Sequence, residues 1–339
     1  MGKVSNKKKL LCFYNILREL SGEEDPLSYG EIKKHFQSRM GISITPRNVT
    51  DYAKELKDFE IDVSGPRENK QGYYLRDRKF EVWELKVITD LICRSFSLSQ
   101  KNSQGLIDKV AGLHNNYTEY ALKKEADISR TPKTMNEEVP YTVDKLQHAC
   151  WEQKKVRFTY NDYDITGSLI PRRKAGKIRE YVGSPYGMLN KKNCNYSIIN
   201  IDPFTSLSNY RVDRMKGMEV LKEDAKPITE VWGYSRGLNI EEYAGKCFKM
   251  FVGKESKIIL EIDKSLLNFM FEELGNWAKI VGNDQDENTY LVTFIGKEGE
   301  GLIKWILQMG DKARVIAPYS LTEQVRKKIQ AMAEHYNKQ

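Results

Sequence analysis

Between Lys154 and Lys216 the chain places thirteen cationic side chains, among them Arg157, Arg172, Arg179, Arg211 and Arg214. Six tyrosines are interleaved with them: Tyr160, Tyr163, Tyr181, Tyr186, Tyr196 and Tyr210. Guanidinium forks grip phosphate oxygens and aromatic rings stack on bases, so this mixture suits a nucleotide or a single-stranded nucleic acid. The competing reading is that lysines on strand faces only solvate a sheet, and that reading is preferred for Lys191 and Lys192 in a turn. The stretch SNYRVDRM poses the sharpest question. Residues three apart on a strand point to opposite faces. Arg211 and Arg214 can therefore line one pocket only if the strand bulges or ends near Asp213 and the chain turns helically. Otherwise Arg214 pairs with Asp213 or another carboxylate and has a structural role.

The rest of the chain offers little chemistry. His35, His114, His148 and His335 form no HExxH, and neither a GxxxxGK[ST] loop nor a GxSxG elbow is present. GKEGEG at 296–301 lacks the GxGxxG spacing and reads better as a connection than as an anion nest. Five scattered cysteines without a CxxC pair suit free thiols in a reducing compartment. No enzyme activity, cofactor or metal is expected. No apolar run approaches the roughly 18 residues of a membrane span. The first twenty residues superficially suggest a signal peptide, but Asn15, Arg18 and Glu19 interrupt them at helical spacing, so a cytoplasmic protein is expected.

The net charge of +8 is unevenly distributed. By side-chain count, residues 1–79 carry about +4 and residues 153–216 about +8, whereas the intervening and following segments are each about −2. Both basic segments are candidates for contact with phosphate.

The elements that would position these charges follow from periodicity. KKKLLCFYNILREL and LSYGEIKKHFQSRMGI give two amphipathic helices, the second stopped by Gly41. ITPRNVTDYAKELKDFEI gives a third, with Thr45 as N-cap, Pro46 at the first helical position, and Val49, Tyr52, Ala53 and Leu56 facing inward. IDVSGPRENKQGYYL reads as two short strands around a polar tip. This order is that of a winged helix-turn-helix over residues 1–79. Its third helix would present Arg47, Asn48, Thr50, Asp51 and Lys54 to the major groove, and Arg67, Asn69 and Lys70 would reach the backbone from the wing. Against this, three amphipathic helices are common and their outer faces are usually just solvated.

Residues 80–152 read as a helical linker, with the polar stretch HNNYTEYALKKEADISRTPKTMNEEVP as a connection and YTVDKLQHACWEQ as a short helix. Period-two patterning then begins at Lys155, with a turn expected at Asn161 and Asp162 and another at Lys191–Asn193. About five short strands over residues 153–222 suggest a small barrel or a strongly bent sheet. Residues 234–339 alternate as β-α-β-β-α-β with a closing helix, a split βαβ unit of α+β class, its first helix capped by Ser265.

YVGSPYGMLNKKNCNYSIINID and SNYRVDRM, followed by EEYAGKCFKMFVGKES, resemble the WYL-domain transcriptional regulators of bacteria over nearly the whole chain. The tripeptide naming that family falls on Asn195, Tyr196 and Ser197, so only its tyrosine is kept. The resemblance implies an Sm-like, SH3-type β-barrel that senses an anionic ligand, with a nucleotide or oligonucleotide as candidates. It also implies a C-terminal extension domain. It carries over Tyr196, Arg211 and Arg214 as pocket residues; Ser184 and Arg172 are added from polarity and position. The expected partners are duplex DNA, the anionic effector and a second copy of the chain. A rival reading is an accessory protein that grips single strands through the central barrel.

Overall fold

The computed structural model describes residues 4–283 and 286–337, in two compact units, residues 1–137 and 138–339. In the first unit, α1 (Asn6–Leu20), α2 (Tyr29–Met40) and α3 (Pro46–Asp58) bury their apolar stripes in one core around Phe13, Ile16, Ile32, Phe36, Val49 and Leu56. Their starts are fixed by side-chain caps that satisfy the unpaired first-turn N–H groups. Thr45 Oγ1 accepts from Asn48 N–H while Asn48 Oδ1 accepts from Thr45 N–H (3.0 Å), and Ser28 and Glu31 make the same reciprocal pair. Gly41 ends α2 at φ +66°, a conformation in which a Cβ would be strained.

A hairpin follows, β1 (Val63–Ser64) and β2 (Tyr74–Leu75), antiparallel, with the single helical turn α4 (Pro66–Asn69) at its tip. Beyond it lie α5 (Val82–Arg94), α6 (Gln100–Ala111) and α7 (Asn116–Glu125). The last occupies a stretch expected to be a connection. Asn115 caps it through Thr118 N–H (2.9 Å), and Leu122 is its one large buried apolar residue, too faint a stripe to show a period. Two side chains converge on the end of α1. Arg78 donates to the carbonyls of Arg18 and Ser21 (3.1 and 2.7 Å), and Asn115 Nδ2 donates to Ser21 O (3.0 Å).

The second unit opens with α8 (Val139–Trp151), assigned to the linker from sequence. It packs on the sheet through Leu146 and Ala149, and Lys145 donates to Met218 O. The strands are β3 (Lys154–Tyr163), β4 (Leu169–Pro171), β5 (Arg173–Lys174), β6 (Lys177–Ile178), β7 (Glu180–Lys191), β8 (Cys194–Ile201), β9 (Leu207–Arg211) and β10 (Met215–Asp224). They order as β10-β3-β7-β8-β9, all antiparallel, with β4 on β3 and the β5–β6 hairpin apart. The turn expected at Asn161–Asp162 falls later: β3 runs on to Tyr163, and Asp164 closes the turn by accepting from Thr166 and Ser168 N–H.

The closed barrel expected here is instead an open sheet, because no ladder joins β9 to β10. Those two edge strands are nonetheless consecutive, linked only by the 3-10 turn Val212–Arg214. Only three residues separate the two edge strands, so the sheet curls enough to bring the end of β9 and the start of β10 within reach of that turn. The edge of β9 ends in a tight turn rather than in pairing.

After α9 (Ile240–Lys246), the chain forms β11 (Lys254–Asp263), α10 (Leu267–Leu274), β12 (Ala278–Asn283), β13 (Asp286–Glu298), α11 (Glu300–Leu307), β14 (Ala313–Ala317) and α12 (Tyr319–Tyr336). The sheet order β12-β13-β11-β14 is antiparallel, with Trp305, Leu260 and Phe294 in the core beneath the helices. Ser265 does not cap α10: Asp263 Oδ1 accepts from Ser265 N–H and starts a 3-10 turn one step earlier.

Because the α3 cap satisfies donors in both directions, Thr45→Ala should cost the first unit about 1 kcal/mol, read as a lowered urea midpoint with an unchanged slope.

Candidate functional site

The cationic residues of the central sheet gather around rings. Tyr160 and Phe158 on β3, Tyr181 on β7 and Tyr210 on β9 form a cluster: Phe158 stacks on Tyr181 (centroids 5.5 Å apart) and Tyr160 meets Tyr210 edge-on (4.9 Å). Alternation along β3 directs Phe158 and Tyr160 to the buried face, while Arg157 is exposed. Burial raises the hydroxyl pKa of Tyr160 and pushes that of Tyr210 up to about 12, so both stay neutral.

Three arginines lie on these rings. The guanidinium carbons of Arg214 and Arg172 are 4.8 and 4.9 Å from the Tyr160 centroid, and that of Arg179 is 4.5 Å from Tyr181. Arg172 and Arg214 also share one carboxylate. Arg172 donates through Nε and Nη2 to Asp162 (2.8 and 3.1 Å), and Arg214 Nη2 donates to Asp162 Oδ1 while its Nε donates to Asn161 O (2.7 Å).

Arg211 has a different partner. It forks onto Asp213, with Nε–Oδ1 at 3.0 Å and Nη2–Oδ2 at 2.9 Å, and the Asp213 side chain is fully buried. Burial disfavours the Arg211 cation, but the Asp213 carboxylate more than offsets this and raises its pKa. β9 ends at Arg211 and the chain turns helically through Val212–Arg214, the strand ending near Asp213 on which a shared pocket depends. The backbone N–H of Arg211 donates to the Tyr160 hydroxyl (3.3 Å), whereas it is the guanidinium of Arg214 that lies over the Tyr160 face. Both guanidinium groups are carboxylate-paired, Arg211 with Asp213 and Arg214 with Asp162, and for Arg214 that pairing is the structural role the sequence offered as the alternative to a shared pocket.

Of the other two candidates, Tyr196 is the register partner of Arg211 across β8 and β9 and is half-buried. Ser184 is fully buried, and its hydroxyl accepts from Lys226 N–H (2.9 Å), which fastens the segment after β10 to β7. Lys191 and Lys192 do more than face solvent. Lys191 donates to the carbonyls of Ala244 and Cys247 at the end of α9, and Lys192 pairs with Glu273 (2.7 Å). Asp162 and Asp213 had not been singled out from sequence as site residues. The available signal for Asp162 was its place one hairpin away from Arg172.

The candidate DNA-facing residues divide into free and engaged groups. Arg47 is 92% exposed, 3.9 Å from Asp51 one turn on, and Lys54 is exposed on the same helix. Thr50 Oγ1 donates to Pro46 O (3.2 Å). Asn48 is committed to the Thr45 cap. Asn69 is engaged in shaping the hairpin tip: its Nδ2 donates to Ser64 Oγ and Gly72 O, and its Oδ1 accepts from Gln71 and Gly72 N–H. Arg67 and Lys70 are exposed at that tip, and Arg67 shares a cleft with Thr50, Lys54 and Lys57. Among the described residues no group of His, Cys, Asp and Glu could hold a metal ion, and no helix is long and apolar enough to cross a membrane.

The antiparallel sheet bearing the arginine–tyrosine cluster and the α+β domain after it each fall within a region that a family model matches. The model of the WYL domain matches residues 141–220 and that of the WCX domain matches residues 257–333, so the chain carries a WYL domain followed by a WCX domain. Among solved structures, the chain is similar to the proteasome accessory factor B/C (PafBC) of Arthrobacter aurescens, at 14% identity and a TM-score of 0.29. That alignment covers 98% of this chain but only 49% of the other. It is also similar to a structure described as a CRISPR Cas-related protein, at 12% identity and a TM-score of 0.37, covering 99% of this chain and 88% of the other. No curated protein matches.

Removing the Arg211 guanidinium takes the opposite charge away from a buried carboxylate, whereas removing both charges does not. Arg211→Met should therefore destabilise the second unit by about 3 kcal/mol, and adding Asp213→Asn should recover more than half of the loss. Chemical denaturation of the single and double variants reads the difference.

Proposed function

We propose that this chain is a DNA-binding transcriptional regulator whose WYL domain senses an anionic ligand. The observation that carries the reading is the coexistence of two distinct cationic surfaces. One is an exposed, doubly capped helix with Arg47 and Lys54 free of its core. The other is the ring-backed arginine cluster in a domain matched by the WYL model. In the first, three helices and a hairpin follow in the order of a winged helix-turn-helix, so α3 would enter the major groove and Arg67 and Lys70 would lie near phosphates. In the second, an anion such as a nucleotide or oligonucleotide would meet Arg172 and Arg214, with Arg211 and Tyr196 at its margin.

The reading includes a homodimer, which would fix half-site spacing, and a cytoplasmic location; it includes no catalytic step. The effector changes DNA affinity only by binding two conformations unequally. The second reading is an accessory protein that grips single strands. It draws support from Arg172, Arg179 and Arg214 lying on tyrosine rings, an arrangement suited to base-tolerant contact.

Salt titrations of the full chain on duplex and single-stranded DNA separate the two. The regulator reading expects a steep duplex dependence whose log–log slope falls by about one in Lys54→Ala and again in Arg47→Ala. An unchanged slope in both variants, or binding only to single strands, removes it.

A further inference from the structure

Two guanidinium groups and one carboxylate meet over the Tyr160 ring, and the charges do not balance. Arg172 and Arg214 bring two positive charges to the single negative charge of Asp162. Their geometry is that of an anion clamp, because Arg172 grips both oxygens and Arg214 reaches one of them from the opposite strand connection. The cluster is also reachable: the Asp162 side chain is 46% exposed and that of Arg172 42%. Tyr163, the next residue, presents a 38% exposed ring beside Arg214. The neighbouring β5–β6 hairpin adds Arg173, Lys174 and Lys177, all exposed, while Asp164 is occupied by its own turn.

We propose that the Asp162 carboxylate is an internal occupant of the anion site, holding the place that the phosphoryl group of a phosphate monoester takes when the effector binds. This rests on the ligand-sensing reading above and specifies both its ligand and its switch. A phosphate monoester carries up to two negative charges near neutral pH and more acceptor oxygens than a carboxylate. It neutralises both guanidinium groups where Asp162 neutralises one. A base or other flat group attached to the phosphate has the exposed Tyr163 ring to stack on. Binding must then release Asp162, at the end of β3 and directly across from β4. The exchange alters the strand carrying the Tyr160 ring, to which Arg211 and the 3-10 turn are tied. A built-in competitor lowers effector affinity and couples occupancy to a local rearrangement.

Isothermal titration calorimetry on the full chain tests this with adenosine 5′-monophosphate as the probe, and inorganic phosphate and adenosine as its two halves. The wild type is expected to bind the monophosphate, and Asp162→Asn to bind it about tenfold more tightly. Arg172→Gln should lose binding, and adenosine alone should bind weakly in all forms. A purely structural Asp162 gives the opposite result, because the asparagine variant would melt lower and bind no better. Asp162→Ser, with thermal melting of each variant, guards against one substitution that simply fails to fold. If the wild type binds the monophosphate and both Asp162 variants fold but bind it equally or less well, the internal-occupant inference is overturned while the sensor reading stands. If no folded form binds either phosphate probe, both fall together. Equal binding of adenosine and its monophosphate would overturn the phosphate assignment.

Discussion

The central domain depends on a charge that has been taken out of water. Asp213 is fully buried, and an ionised carboxylate in that position is tolerable only with an opposite charge held in hydrogen-bonding register. Arg211 supplies it through a two-point fork. Because Asp213 is the middle residue of the 3-10 turn, the same contact holds the turn that joins the sheet's two edge strands. The curl of the sheet, the approach of Arg214 to Tyr160 and the meeting of β3 with the end of β9 all follow from keeping that turn closed.

The aromatic cluster gives the remaining cations a reason to be where they are. A guanidinium is weakly hydrated and flat, so it can lie on a tyrosine face at less cost than an ammonium would incur. Arginines, rather than lysines, accordingly sit on Tyr160 and Tyr181. The lysines of the same domain are found in other roles: Lys155 pairs with Asp202, Lys154 with Asp224, and Lys191 closes a helix end. High positive charge in the sequence thus resolves into two populations with different chemistry.

Much of this was legible in the residues themselves. TPRN announced the start of α3, and Gly41 the end of α2, because caps and left-handed positions are decided locally. The β-α-β-β-α-β order of the C-terminal domain was readable for the same reason, each element carrying its own period. Sequence reasoning failed where distant residues decide. Leu122 is the one large buried apolar residue of α7, so no stripe marked that helix. The chain between β3 and β4 turns at Asp164 rather than Asn161 because Asn161, Asp162 and Tyr163 pair with Pro171, Ile170 and Leu169, a register decided across the hairpin. Sheet closure was likewise invisible, since it depends on whether β9 and β10 pair or merely adjoin. The cationic candidates were found, but their carboxylate partners were not, because partnership is a property of register.

The end of α1 in the first unit has a mechanical meaning. Arg78, just after the hairpin, and Asn115, at the head of α7, both grip the carbonyl of Ser21. One oxygen is therefore a common anchor for the hairpin strand, the first helix and the later helical layer. Three segments far apart in sequence are thus constrained together through the single carbonyl oxygen of Ser21.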